Sequence, residues 1–139
     1  MATEQALNLA REIAALADSK KAESIVVLDV SEQHSLIECF VLATAQGPRL
    51  AQVIGDLALR HVRGVGEKPW HIERSEDWVC GDFGDVVLHV FTPDARDYYD
   101  LDHLWSDSPR IEWTPLPAPQ LSAELSAEPA AEASSAEEA

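Results

Sequence analysis

Residues 25–30 read Ile-Val-Val-Leu-Asp-Val, a run that is rich in β-branched side chains and almost wholly apolar. A strand with one face in water alternates apolar and polar residues, whereas a strand that is covered on both faces does not. The run therefore predicts a central strand of a sheet. After a polar turn, residues 38–44 (Glu-Cys-Phe-Val-Leu-Ala-Thr) predict a second strand.

Helical periodicity appears on both sides of these two strands. In residues 3–19 the apolar positions recur at intervals of three and four, and Thr3 suits the N-cap position. A second helix is predicted from Pro48, because the fixed φ of proline fits a first helical turn. The glycines at its far end, Gly64 and Gly66, are typical of a helix terminus.

Three further strands are predicted in the second half of the chain. Residues 68–74 predict a short strand near an edge of the sheet, since Pro69 cannot donate to a ladder. Residues 77–82 and 85–91 predict two strands that form a hairpin around Phe83-Gly84.

The last predicted helix begins at Pro93-Asp94 and runs to about Trp105. The order of elements, α-β-β-α-β-β-β-α, predicts one α/β domain over residues 1–114, with a mixed β-sheet of about five strands and flanking helices. Residues 115–139 are rich in proline, alanine and glutamate. Such a composition cannot bury enough surface to offset its ordering entropy, so we predict a disordered acidic tail.

The net charge limits the class of partner. The chain has 10 basic and 25 acidic residues and a formal net charge of −15. Without the five glutamates after Pro115, 20 acidic residues still stand against 10 basic ones. A surface of this sign repels a phosphate backbone, since affinity for nucleic acid comes largely from lysine and arginine. The charge therefore predicts little or no direct nucleic-acid binding and favours a basic protein partner; an effect on solubility alone is the alternative interpretation.

Nothing in the sequence indicates export or membrane insertion. No apolar run approaches the roughly 20 residues that a membrane-spanning helix needs, and residues 1–5 do not resemble the start of a signal peptide. We therefore predict a cytoplasmic protein without membrane contact, in which Cys39 and Cys80 are reduced thiols.

No enzyme or metal site is indicated by residue spacing. Cys39, Cys80, His71 and His89 lie on separate predicted strands and lack the short spacing of a zinc site. No nucleophile elbow is present, and residues 46–49 lack the glycine pattern of a phosphate-binding loop. We expect His89 to pack in or beside the core, and we expect no catalytic activity, no cofactor and no metal ion.

The strand at residues 77–82 carries the first candidate binding residues. Its two-residue period places Trp78, Cys80 and Asp82 on one face. Asp82 and Asp85 flank a tight turn, and they are more simply interpreted as turn residues than as metal ligands.

The last predicted helix carries an aromatic and apolar stripe beside an acidic ridge. Like charges at helical spacing repel by a few tenths of a kcal/mol per pair, and aromatic side chains framed by acids are typical of an interface with a basic partner. Packing on the sheet is favoured for Leu101 and Trp105, whereas packing and interface stay equally open for Trp78 and Tyr98. The stripe consists of Tyr98, Leu101 and Trp105, and the ridge of Asp94, Asp97 and Asp100.

Five blocks of the sequence closely resemble the Iojap-like ribosomal silencing factors, and the resemblance covers residues 4–113 without the tail. The last two blocks are the most specific. The blocks are Lys21-Ala22-Glu23-Ser24-Ile25-Val26-Val27-Leu28-Asp29-Val30, Cys39-Phe40-Val41-Leu42-Ala43-Thr44, Asp77-Trp78-Val79, Asp82-Phe83-Gly84-Asp85-Val86-Val87-Leu88-His89-Val90-Phe91, and Arg96-Asp97-Tyr98-Tyr99-Asp100-Leu101 running to Leu104-Trp105.

The resemblance implies a mixed sheet related to nucleotidyltransferases but without their catalytic carboxylates. It implies binding to the large ribosomal subunit through ribosomal protein number fourteen, at the face where the small subunit docks. Translation is then repressed by steric exclusion when nutrients are short. The partner-binding residues that it implies are Trp78, Asp82, Tyr98, Tyr99 and Asp100.

Two departures from the family pattern leave contacts at those positions open, and two other functions remain as alternatives. Thr44-Ala45 stands where the family usually has Thr-Gly, and Glu73-Arg74 stands for Glu-Gly. An active nucleotidyltransferase would need a metal-binding carboxylate pair beside a phosphate-binding helix start. A dimeric scaffold for other cytosolic partners would not migrate with large subunits. The sequence does not decide whether the protein forms a homodimer.

Overall fold

The computed structural model describes residues 1–66 and 71–115. The predicted strand residues 68–70 and the predicted tail from residue 116 onward lie outside the described residues. The elements are α1 Glu4–Ser19, β1 Glu23–Asp29, β2 Cys39–Thr44, α2 Pro48–Gly64, β3 His71–Arg74, β4 Trp78–Asp82, β5 Val86–Phe91, α3 Pro93–Tyr99 and α4 Leu101–Leu104.

The five strands form one mixed sheet in the order β1-β2-β5-β4-β3. β2 and β5 pair in parallel, and the other neighbours pair antiparallel. Every residue of β2 and of β5 is buried, so these two strands are the centre of the sheet. The predicted α/β class and mixed sheet are confirmed, and His71–Arg74 forms an edge strand as expected.

The prediction that residues 25–30 form a central strand is wrong, because β1 lies at an edge. Its outer side is covered by a later segment of the chain. Asp29 donates its N–H to the carbonyl of Pro109 at 2.9 Å, and Ile111 donates to Val27 at 2.8 Å. This added pairing closes the outer edge of β1 at residues 27–29, where an open ladder would make an apolar edge strand prone to aggregate. An apolar run is therefore tolerated at the edge.

The two faces of the sheet are covered unequally. On the first face, α1 packs on β1 and β2 and α2 packs on β4 and β5, around residues such as Ile13, Ile54 and Leu88. On the second face, Phe40, Leu42 and Val87 are covered by the chain from α4 onward. Trp105 packs perpendicular to Phe40 with a centroid distance of 5.1 Å. The favoured interpretation of Leu101 and Trp105 as packing residues is confirmed.

The predicted single helix from Pro93 to Trp105 is wrong, because it is broken at Asp100. Asp100 adopts the left-handed conformation, with φ 51° and ψ 47°. Aspartate tolerates this region better than most residues, since its short polar side chain bonds locally. Its carboxylate accepts from the N–H of His103 and so caps α4. The acidic ridge therefore ends with α3, and the predicted stripe of Tyr98, Leu101 and Trp105 is not continuous.

The N-cap and the hairpin were predicted correctly. The Thr3 hydroxyl accepts from the N–H of Ala6 at 3.2 Å and caps α1. Gly84 has a φ of 91°, which favours glycine in the turn between β4 and β5. No helix within residues 1–66 and 71–115 is long and apolar enough to cross a bilayer.

Gly55 allows α2 to approach β4 closely. A Cβ atom at this position would lie 2.7 Å from Cγ1 of Val79, a buried and β-branched side chain that has little freedom to move. We expect Gly55→Ala to destabilise the fold by about 1–2 kcal/mol, because the overlap outweighs the higher helix propensity of alanine.

Gly64→Ala in the same helix is the matched control, since a Cβ there meets nothing within 4 Å. Its free energy of unfolding should equal or exceed that of the wild type in urea titrations. Equal stability of both variants would contradict the close approach.

Candidate docking surface

Trp78 begins β4 and lies opposite Phe91 of β5. Its ring packs on Phe91 at a centroid distance of 5.0 Å and is half-buried. Along β4, burial alternates as the two-residue period predicts. Trp78, Cys80 and Asp82 are partly exposed on the second face, and the two residues between them are buried.

Two tyrosines at the end of α3 extend this aromatic surface. Tyr99 lies 4.6 Å from Trp78 and 6.0 Å from Phe91, measured between ring centroids. Tyr98 stands perpendicular to Tyr99 at 5.0 Å and is 81% exposed. Trp78, Tyr98 and Tyr99 therefore form a continuous patch, which we call the aromatic patch.

Acidic residues lie beside the aromatic patch in the chain. Asp77 directly precedes Trp78, Asp97 precedes Tyr98, and Asp100 follows Tyr99; all three are exposed. The structure thus brings together four of the five predicted partner-binding residues, Trp78, Tyr98, Tyr99 and Asp100.

Asp82 lies apart from the aromatic patch at the opposite end of β4. It lies four residue steps along β4 from Trp78, or roughly 13 Å at the usual rise of a strand. Its carboxylate accepts from the N–H of Gly84 at 3.0 Å, which is the turn role favoured by the sequence. A partner that contacts both Trp78 and Asp82 must span the whole strand.

An ion pair that the sequence did not reveal holds α3 against α4. Arg96 donates from Nε and Nη2 to the two carboxylate oxygens of Asp102, at 2.7 and 2.9 Å. A third donor, Nη1, reaches the hydroxyl of Thr44 on β2 at 2.8 Å. The hydrogen bonds from Arg96 hold the pKa of Asp102 below its usual value, against the opposing effect of burial. Arg96 of α3 and Asp102 of α4 therefore bridge the break at Asp100.

His89 lies beneath the aromatic patch and was recognised only as a packing residue. It is buried on β5, where its Nδ1 accepts a hydrogen bond from Nε1 of Trp78 at 3.2 Å. Burial lowers the pKa of His89 from 6.5 to about 4, so the imidazole is neutral at pH 7. The spacing of aromatic residues on neighbouring strands could have suggested that Trp78 contacts His89, but the hydrogen bond between them depends on the register of the two strands.

Cys80 is the thiol on the same face, two residues from Trp78. Burial, together with the nearby charges of Asp82 and Glu73, raises the pKa of Cys80 to about 11. A thiol of this pKa is protonated at pH 7 and is a poor nucleophile, because only the thiolate attacks. Cys39 is buried, and both cysteines are free, as predicted.

The buried His89 should make the stability of the fold depend on pH. Between pH 6.5 and about 4 the unfolded chain binds a proton at His89 while the folded chain does not. Stability therefore falls as the pH decreases through this window, by on the order of 3 kcal/mol in total, and is unaffected above it. The check is urea unfolding of the wild type and of His89→Asn at several pH values.

The free-energy difference between these two proteins isolates His89, since their other titrating groups are the same. It should be constant above pH 6.5 and should change in favour of the variant below it. A difference that is independent of pH would show that His89 titrates alike in the folded and unfolded chains.

The fold and the surface define an α/β protein with a mixed five-stranded sheet, one face of which carries an aromatic and acidic patch. A family model described as "Ribosomal silencing factor during starvation" matches residues 3–139. This match extends beyond the resemblance recognised over residues 4–113 and includes the stretch predicted to be a tail. The chain belongs to this ribosomal silencing factor family.

Individual relatives agree with the family match. The chain is 34% identical over 97 residues to the ribosomal silencing factor of Halalkalibacterium halodurans, which covers 68% of this chain and 83% of the relative. It is 32% identical over 113 residues to the chloroplastic protein Iojap of Arabidopsis thaliana, covering 78% of this chain and 46% of that protein. A crystal structure of a protein from Chromobacterium violaceum superposes with a TM-score of 0.68 at 29% identity, covering 82% of this chain and 93% of the other.

Proposed function

We propose that this protein binds the large ribosomal subunit through ribosomal protein number fourteen and prevents the small subunit from joining it. Translation is thereby repressed during nutrient limitation, by steric exclusion and without catalysis. The observation that carries the proposal is the aromatic patch, in which Trp78, Tyr98 and Tyr99 are in contact and partly exposed.

Exposed aromatic rings in contact with one another suit a protein–protein interface. Interface residues that dominate binding energy are enriched in tryptophan and tyrosine, because these side chains bury a large area at a small cost in conformational entropy. Tyr98 is 81% exposed, so the fold gains little from its ring. Docking against a partner would give the ring the apolar contacts that it lacks in the free protein.

The charge favours a ribosomal protein over ribosomal RNA as the direct contact. The chain carries −15 overall, and acidic residues lie on either side of the patch in sequence. Such a surface is repelled by phosphates but attracted to a basic protein surface. Long-range attraction also speeds encounter with a partner of opposite charge.

To exclude the small subunit, the protein only has to occupy a surface of the large subunit that the small subunit also contacts. The partly exposed Cys80 is a protonated thiol, and His89 is neutral and engaged with Trp78. A bound protein of 15.2 kDa at the joining face would act by its volume. The direct test is light scattering of purified subunits as the protein is titrated in. Undiminished association with the protein in excess would refute the proposal.

Trp78→Ala should weaken binding to isolated large subunits by at least tenfold, since the variant removes the centre of the patch. Sedimentation with large subunits measures the loss, and circular dichroism checks that the variant is folded. Trp113→Ala is the matched control, because Trp113 is also half-buried but packs near β1 on the first-face core. Normal binding by Trp78→Ala would remove this residue from the interface.

Tyr98→Ala tests the patch with less risk to the fold, since the ring is mostly in water. We expect a loss of roughly threefold to tenfold in affinity at unchanged stability. If affinity stays at the wild-type value, the tyrosine end of the patch is outside the contact.

Binding should weaken as salt rises, because screening reduces attraction between acidic and basic surfaces. We expect affinity to fall roughly threefold to tenfold between about 0.05 and 0.2 M salt. Asp97→Asn should reduce the salt dependence of the affinity. Glu112→Gln, which removes an exposed acid beside β1, should leave it unchanged. A flat response of the wild type would contradict charge complementarity.

A further inference from the structure

His89 has a buried polar atom that no hydrogen bond stabilises within the described residues. Its ring is packed between Phe40, which stands perpendicular at 5.0 Å, and Phe91, which is stacked at 6.0 Å. Within the described residues, Nε2 is buried and has no hydrogen-bond partner. A buried donor without an acceptor costs free energy, so an apolar side chain would fill this position at lower cost.

The protonation state of the imidazole follows from its contact with Trp78. An indole N–H can only donate, so Nδ1 of His89 must be the acceptor in the 3.2 Å hydrogen bond. The single proton of the neutral ring therefore lies on Nε2, the nitrogen without a partner. Histidine supplies a hydrogen-bond acceptor for the indole N–H at this position, which leucine and phenylalanine cannot do.

We propose that His89 is a positioning residue, which holds the N–H of Trp78 turned into the protein so that the aromatic patch offers ring carbon to its partner. The indole N–H is already satisfied, and the partner therefore need not provide an acceptor. Aliphatic groups and cations fit such a surface, since a cation is attracted to the face of an indole. This inference rests on the proposed function for its consequence in binding.

A fixed indole binds better than a mobile one. Trp78 is only half-buried, and its neighbours Phe91 and Tyr99 restrain it by packing. Packing contacts of this kind do not select one orientation of the indole. The hydrogen bond to His89 adds direction and selects one orientation. Ordering a side chain before docking avoids an entropic cost at docking, which corresponds to about threefold to tenfold in affinity.

The hydrogen bond is tested by exchange of the Trp78 indole proton, followed by NMR on the full chain. His89→Leu removes the acceptor at similar volume, and His89→Asn retains an acceptor near the Nδ1 position. Val87→Ala is the matched control, because Val87 is buried on the same face two residues away and offers no acceptor. It reports what a general loss of packing does to exchange.

Exchange should be at least tenfold faster in His89→Leu than in Val87→Ala, and His89→Asn should stay within about threefold of the wild type. A wild-type indole proton that exchanges as fast as that of free indole would overturn the proposal without any variant. Equal exchange in His89→Leu and Val87→Ala would overturn it too, as would exchange in His89→Asn as fast as in His89→Leu.

Binding to isolated large subunits is then measured on the folded variants. We expect about threefold to tenfold weaker binding by His89→Leu, with His89→Asn and Val87→Ala close to the wild type. Weakening by Val87→Ala equal to that by His89→Leu would show that packing alone is responsible and would overturn the positioning role. If the wild type itself fails to bind large subunits, the proposed function fails, while the exchange result still decides whether His89 orients Trp78.

Discussion

The parallel pairing of β2 with β5 is the constraint on which the rest of the fold depends. Two parallel neighbours cannot be joined by a tight turn, so the chain must leave the sheet and return by a crossover. α2 provides the first part of it, and β3 and β4 are then added on the far side of β5. The two strands are buried throughout, and their pairing is what determines the positions of all the others.

The unequal covering of the two faces follows from this connection and creates the candidate site. The two long helices pack on the first face, and among residues 1–66 and 71–115 the second face is covered by the short helices and the segment that follows them. Phe40 and Leu42 of β2 are buried there, whereas Trp78 and Cys80 of β4 are partly exposed. The aromatic patch lies where this cover ends, with Trp78 from the sheet and Tyr98 and Tyr99 from α3.

Local rules predicted the parts of the structure that depend on near neighbours in sequence. The cap at Thr3, the turn at Gly84 and the alternation around Trp78 each involve only a few consecutive residues. The edge position of β1 could not be predicted, because it depends on pairing with residues 109–111. The break at Asp100 is likewise bridged by contacts that include a long-range one, since Arg96 bonds both Asp102 and Thr44, and Thr44 is 52 residues away from Arg96. The residues of the aromatic patch were predicted from the sequence, whereas the hydrogen bond from Trp78 to His89 was not.

The aromatic patch combines several features that are unfavourable for the fold taken alone. Asp94 and Asp97 lie three residues apart on α3 and repel each other, and Asp100 adopts a strained left-handed conformation. His89 buries a donor without an acceptor, and Tyr98 leaves its ring in water. Sequence and structure otherwise agree well in this domain, and local conflicts that cluster at one place are expected at functional sites. The concentration of these costs on α3 and beside Trp78 is therefore an independent physical argument in favour of the proposed docking surface.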